Sequence, residues 1–139
     1  MTVAGRTCGS CTQCCKALAI RELDKPANRW CSHCEPGAGC RIYGDRPDPC
    51  RRFACGWLVH PLPDELRPDR CKVVIFEPAA TPHILALHVD PDFPDAWRQK
   101  SIAALAQAYV RKGGEVRVVM GDLRYRITRD GLIGPHRKP

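Results

Sequence analysis

Apolar positions in the last third of the chain recur with a helical period. Ile102, Leu105, Ala106, Tyr109 and Val110 fall at i, i+3, i+4, i+7 and i+8, which predicts one buried face on a helix from Ala96 to about Lys112. Asp95 is placed to cap its start, and Gly113-Gly114 to stop it. Beyond the glycines the period becomes two. Val116, Val118 and Met120 share a strand face, Gly121-Asp122 supplies a two-residue hairpin turn, and Leu123, Tyr125 and Ile127 continue the apolar side. Two stretches rich in β-branched and apolar residues precede the helix, Cys71 to Glu77 and Ile84 to Val89, and the proline-broken segment 91–95 follows them.

The order β-β-α-β-β predicts a small, mainly antiparallel sheet with one helix packed on it. Arg117, Arg124, Arg126 and Arg129 lie on its other face, read as a solvated surface rather than a basic binding stripe because only one side of such a sheet needs burial. The tail, residues 134–139, is expected to be loose.

The first half follows neither period. Lys16 to Lys25 carries Leu18, Ile20 and Leu23 ahead of Pro26 and is read as a strand passing into a short turn. Residues 58–70, with Pro61, Pro63 and Pro68 among charged residues, read as a connector. The predicted class is α+β: an irregular cysteine-rich region over 1–71 joined to a β-β-α-β-β region over 72–139, packed together as one domain. A length of 139 residues suits one domain with an ordinary core.

What fills the irregular half is sulfur. Nine of the ten cysteines lie between residues 8 and 55: Cys8, Cys11, Cys14, Cys15, Cys31, Cys34, Cys40, Cys50 and Cys55. Cys71 follows, and residues 72–139 have none. No apolar run approaches the roughly 18 residues of a membrane span, and residues 1–6 lack the apolar core of a signal peptide. The expected compartment is therefore the cytoplasm, where disulfides are rare and close-set cysteines bind metal or do redox chemistry.

All nine are candidate metal ligands. Cysteines three apart can converge on one ion. On a helical turn Cys8, Cys11 and Cys15 would share a face. Adjacent Cys14 and Cys15 diverge in both helix and strand, which predicts two metal positions, or one ligand beside a bridging or packing cysteine. Cys31 and Cys34 form a second CxxC pair, and Gly37 and Gly39 allow a tight turn that returns Cys40 to it. Pro47 and Pro49 keep the approach to Cys50 extended. Ile42, Tyr43, Phe53 and Trp57 are the expected apolar shell, and Arg46, Arg51 and Arg52 are placed to offset thiolate charge, each equally readable as a solvated surface charge. His33 is read as an exposed loop histidine, and His60 is assigned no function.

The formal charge of +7 counts every cysteine as neutral. Eight thiolates on two divalent ions would leave about +3, so the basic balance argues only weakly for nucleic acid. No Ser-His-Asp order, paired carboxylates or HExxH motif points to a classical hydrolase, and no catalytic residue is identified.

Residues 8–55 resemble the YkgJ-type cysteine-cluster family, whose CxxCxxCC domain is described as chelating zinc or iron. The resemblance rests on Cys8, Cys11, Cys14 and Cys15, then on the run Cys40-x-Ile42-Tyr43-x-x-Arg46-Pro47-x-x-Cys50-Arg51-x-Phe53-x-Cys55. The family's cysteine shortly before that run corresponds here to Cys31 or Cys34. The family includes a flagellin lysine N-methylase branch. Methyl transfer is not carried over, because this chain shows no glycine-rich nucleotide loop. The resemblance implies metal chelation.

Zinc is the expected metal, since eight cysteines fill two tetrahedral thiolate sites. The rival is iron or an iron–sulfur cluster: Cys8, Cys11 and Cys14 follow the C-x2-C-x2-C run of bacterial ferredoxins, but Cys15 departs from it at the fourth ligand. Thiolates also suit copper or a storage role. Three function classes follow, in order: a zinc-held structural or interaction module, a redox or catalytic iron protein, and a zinc-dependent nucleic-acid binder. Metal ions are the expected partners, and no membrane is.

Overall fold

The computed structural model describes residues 2–138. Its first half is built from single turns: α1 (Gln13–Ala17), a two-rung hairpin of β1 (Cys34–Glu35) and β2 (Gly39–Cys40), α2 (Asp48–Arg52), α3 (Gly56–Val59) and α4 (Pro68–Cys71). Its second half holds β3 (Val73–Phe76), β4 (Ile84–Val89), α5 (Lys100–Arg111), β5 (Glu115–Met120), β6 (Leu123–Thr128) and β7 (Gly131–Arg137). These strands make one sheet in the order β3-β4-β5-β6-β7, with β4 and β5 parallel and the other pairs antiparallel. The mixed helix and strand content agrees with the α+β class.

The helix and hairpin fall near their expected places. Ile102 and Ala106 are buried, and Leu105, Tyr109 and Val110 pack partly buried against the same core. Met120 pairs with Leu123 across Gly121-Asp122, and Gly121 has φ +58°, as a tight hairpin turn demands. The helical start differs. Ala96–Arg98 forms a 3-10 turn, Gln99 is extended at ψ 144°, and the α-helix begins only at Lys100. Asp95 makes no side-chain cap; its carboxylate lies 3.9 Å from Arg98 instead.

Four other expectations are corrected. The tail is not loose, because β7 pairs with β6 through the register Ile127–Leu132 and Leu123–Arg137, so backbone hydrogen bonding orders residues that bury little. Gly134 is needed there: a Cβ would lie 2.7 Å from the Arg124 carbonyl oxygen. Lys16 to Lys25 is not a strand. Its start belongs to α1, Arg21–Leu23 is a 3-10 turn, and Asp24 at φ +48° folds the chain back after a single Ile20–Lys25 bridge. The connector 58–70 holds a 3-10 turn at Asp64–Leu66 and α4, opened by Pro68, which is suited to a first helical turn. Cys71 ends α4, Lys72 turns at φ +65°, and the strand starts at Val73.

Strands β3, at the sheet edge, and β4 beside it are buried on both faces. Val73, Ile75, Leu85, Leu87 and Val89 face the α5 side, with Ile102, Ala106, Trp97, Val116 and Val118. Val74 and Phe76, the alternate positions, pack instead against Ala17, Cys55, Trp57 and Leu58 from α1, α3 and their flanks. The strands that read as near-continuous apolar runs are thus those with two partners.

Replacing Ile102, which has no exposed surface, by alanine should cost about 2–5 kcal/mol in equilibrium denaturant unfolding, with the slope unchanged.

Candidate metal centre

The motif cysteines are brought together by turns rather than by one element. The leading segment is fixed by Arg6, which donates to the carbonyls of Trp57 at 2.7 Å and Leu62 at 2.6 Å, its guanidinium 4.4 Å from the Trp57 ring centre. A turn closes between Cys8 and Cys11 at 2.7 Å. Cys14 and Cys15 lie on α1, which begins only at Gln13, so Cys8 and Cys11 do not share a helical face with Cys15. The Cys31 amide donates to the Cys15 carbonyl at 3.1 Å, and the Gly37 amide to the Thr12 hydroxyl at 3.0 Å, which seats the hairpin on α1. Cys34 and Cys40 face each other across that hairpin, with Gly37 at φ +77° making the expected turn. Only Pro47 is extended; Pro49 enters α2, and Cys50 is helical rather than extended. Cys55 precedes α3.

All nine candidate cysteines line one cavity of about 650 Å³. Ile42, Tyr43, Phe53 and Trp57 line it too, as does Arg46. Arg51 is turned to backbone carbonyls of Arg46 and Gly44, and Arg52 is exposed beside Asp48. Cys71 is absent from the lining. It is buried in the sheet core, where its thiol donates to the Val73 and Leu66 carbonyls at 3.3 and 3.6 Å. His33 also lies off the cavity, and His60 pairs with Glu77 at 2.8 Å.

All ten cysteines are free. As the side chains stand, no three His, Cys, Asp or Glu groups among the described residues are gathered closely enough to grip one ion. The thiols nevertheless feel one another. Cys15 shares a hydrogen bond with Cys14 that, with burial and the Cys14 charge, drives its pKa far up. Burial pushes Cys34 up to about 12, and the Cys15 charge adds to it. Burial likewise raises Cys50, with Cys15 and Cys31 contributing, and raises Cys8, with Cys15 contributing and Arg46 opposing. Cys15 is therefore the hub of the group. Crowded, half-dry thiols resist ionising together, and only a cation among them reverses that preference. As a donor set, nine sulfurs within apolar walls fit a soft or borderline metal.

The sheet supplies a floor that the motif did not announce. Phe76 and His88 line the cavity, their rings 5.0 Å apart, and Phe53 packs edge-on to Phe76 at 5.2 Å. The available signal was alternation: Val74, Phe76, Ala86 and His88 occupy the positions opposite the Ile75 and Leu87 face. Burial, with Arg124 nearby, pushes the His88 imidazole down to about 4. The cysteine half is tied to the sheet by Asp90, a carboxylate only 3% exposed. It accepts from Gln13 at 2.9 Å and from Lys16 at 2.9 Å, and Lys16 also reaches Asp92 at 2.7 Å. Burial raises the Asp90 pKa, but Lys16, the Asp92 amide and Gln13 together outweigh it and hold the group below the usual range.

No family model, no curated protein and no solved structure matches the chain. No helix among the described residues is long and apolar enough to cross a membrane.

Two outcomes follow from these contacts. Asp90→Ala leaves Lys16 and Gln13 facing a dry gap and should cost about 2 kcal/mol or more, read by chemical denaturation. A histidine whose folded pKa is depressed is charged first in the unfolded chain, so it withdraws stability as pH falls from about 6.5 towards 4. His88→Leu should flatten that part of the pH–stability curve relative to the unaltered protein, and an identical slope would refute the assignment.

Proposed function

We propose that this chain is a metal-chelating cysteine-cluster protein, with two zinc ions in thiolate sites holding residues 8–71 as a structural or interaction module. The observation that carries it is the meeting of all nine motif cysteines on one cavity. Its walls are mostly apolar and its donors are thiols, a lining that suits a soft or borderline metal. Each cysteine carries its sulfur on a single χ1 bond, so a change of rotamer is the motion by which neighbouring donors would reach the roughly 2.3 Å of a zinc–sulfur bond. Cys8, Cys11, Cys14, Cys15, Cys31, Cys34, Cys40, Cys50 and Cys55 would supply the ligands, one of them bridging or packing. When bound, the metal would hold these turns together in place of an apolar core. The resemblance to the YkgJ-type family rests on the same residues, and a reducing compartment would suit free thiols.

A second reading has its own support. Cys15 is close to Cys14, Cys34, Cys8 and Cys50 at once, and the cavity is continuous rather than split in two. One multinuclear centre, such as an iron–sulfur cluster with a redox role, fits that arrangement. A nucleic-acid interface is not favoured, because Glu115 pairs with both Arg117 and Arg126 at 2.7 Å.

Elemental analysis of protein purified without oxygen should find about two zinc ions per chain; iron with acid-labile sulfide would select the second reading, and a metal-free protein would overturn both. Chelation should strip amide protection from residues 8–59 while β3 to β6 keep theirs, because metal binding and local folding are coupled.

A further inference from the structure

The cysteine cavity has one wall residue of another metal-ligating type. Among the described residues that line it there is no aspartate or glutamate, and His88 is the single histidine. Its place is set by strand register. His88 stands directly across from Val74, and Asp90 follows two residues on, towards the same side of the sheet. Asp90 accepts from Gln13 and from Lys16, each at 2.9 Å, and those two residues bracket Cys14 and Cys15 on α1. This end of β4 therefore lies against the turn that carries the adjacent cysteines. Val74 packs with Ala17 and Cys55, and Cys8 and Cys14 border the same cluster. His88 enters the cavity where these sulfurs meet the sheet.

The imidazole is otherwise uncommitted. Its ring lies tilted on Phe76, centres 5.0 Å apart, and Phe53 braces Phe76 edge-on. These contacts use the face of the ring, and among the described residues no hydrogen bond engages either nitrogen. His60 differs, since its Nε2 meets Glu77 at 2.8 Å. A half-buried imidazole without a partner is unusual, because polar groups removed from water are bonded as a rule. What the cavity offers it is mainly sulfur. A thiol is a weak hydrogen-bond partner. A metal ion held by thiolates is a strong one for a neutral ring nitrogen.

We infer that His88 is a nitrogen ligand of the metal centre, supplied by the sheet to the sulfurs around Cys14. The role rests on the thiolate centre proposed above and adds a donor from the other half of the chain. Three thiolates with one imidazole are an ordinary zinc donor set, and imidazole suits iron as well. One ring nitrogen gives its lone pair to the metal and the other keeps its proton. The bond would fasten the cysteine turns to β4 at a second point, beside the Asp90 contacts with α1.

Cadmium-113, which follows zinc into thiolate sites, is the probe, loaded without oxygen into the full chain carrying nitrogen-15 in its histidines. A metal–nitrogen bond splits the ring-nitrogen resonance, and a packing contact does not. One ring nitrogen of His88, identified by its proximity to the Phe76 ring, should be split by the bound cadmium. His88→Leu keeps an apolar floor and should bind zinc on the order of tenfold or more weakly, the least that loss of even an outer partner of a ligand costs. His88→Cys exchanges nitrogen for sulfur and should recover the affinity. With cobalt(II) it should also strengthen the sulfur-to-metal charge-transfer bands. An unsplit His88 ring in protein that has taken up cadmium overturns the role, as does unchanged zinc affinity in His88→Leu. The splitting is read on the unaltered chain, so it decides the matter even where a variant does not fold. If the unaltered protein takes up neither cadmium nor zinc, the thiolate centre itself falls, and this ligand with it.

Discussion

Two short strands buried on both faces set the terms for the rest of the molecule. β3 and β4 give one face to α5 and the other to the cysteine turns. The first contact is an ordinary apolar core. The second is thin, a few residues from single-turn helices around Val74 and Phe76. A half built from turns has only the two-rung β1–β2 ladder and no long helix of its own, and single turns are marginal in water. It holds its place through Val74, through the Arg6 contacts with the α3 region, and through Asp90 and its amide and ammonium donors. That is little for about seventy residues, and the metal proposed above would add to it.

The electrostatics of the sulfurs run one way. Without a cation inside the group, burial and mutual repulsion favour the protonated thiol, most of all at Cys15. With one, the same proximity becomes coordination and the same dryness strengthens it. The cations follow a related division. Arg67 is met by Asp69 and Lys16 by Asp90 and Asp92, while the buried Lys25 ammonium donates to backbone carbonyls.

Sequence periodicity recovers the second half well because its elements are long enough to show a period and have one buried side. Ile102 with Ala106, and Val116 with Val118, show this. It fails where backbone pairing acts without burial, as in β7, and where left-handed residues redirect the chain, as at Asp24 and Lys72. The candidate ligands were legible as a set because spacing and residue type carry the chemistry. Their wall was not. Phe76 and His88 come from a strand pair far along the chain, and alternation hints at them only once both faces of β3 and β4 are known to be covered. Lys25 carries no local signature, since a lysine before a proline ordinarily reads as a solvated turn.

The basic character of the protein takes a different meaning in this light. On β5 and β6, Arg117 and Arg126 stand directly across from each other, a pairing that would be unfavourable alone. Glu115 sits at 2.7 Å from both, and the two guanidiniums, Arg126 foremost, hold its carboxyl down to about 2. That strand pair is therefore not a row of unspent positive charge waiting for phosphates. Of the other cations, Arg46 lines the cysteine cavity. A surface built to bind a polyanion directs its cations outward and leaves them unpaired. On β5 and β6 this molecule pairs its two facing cations with a carboxylate of its own.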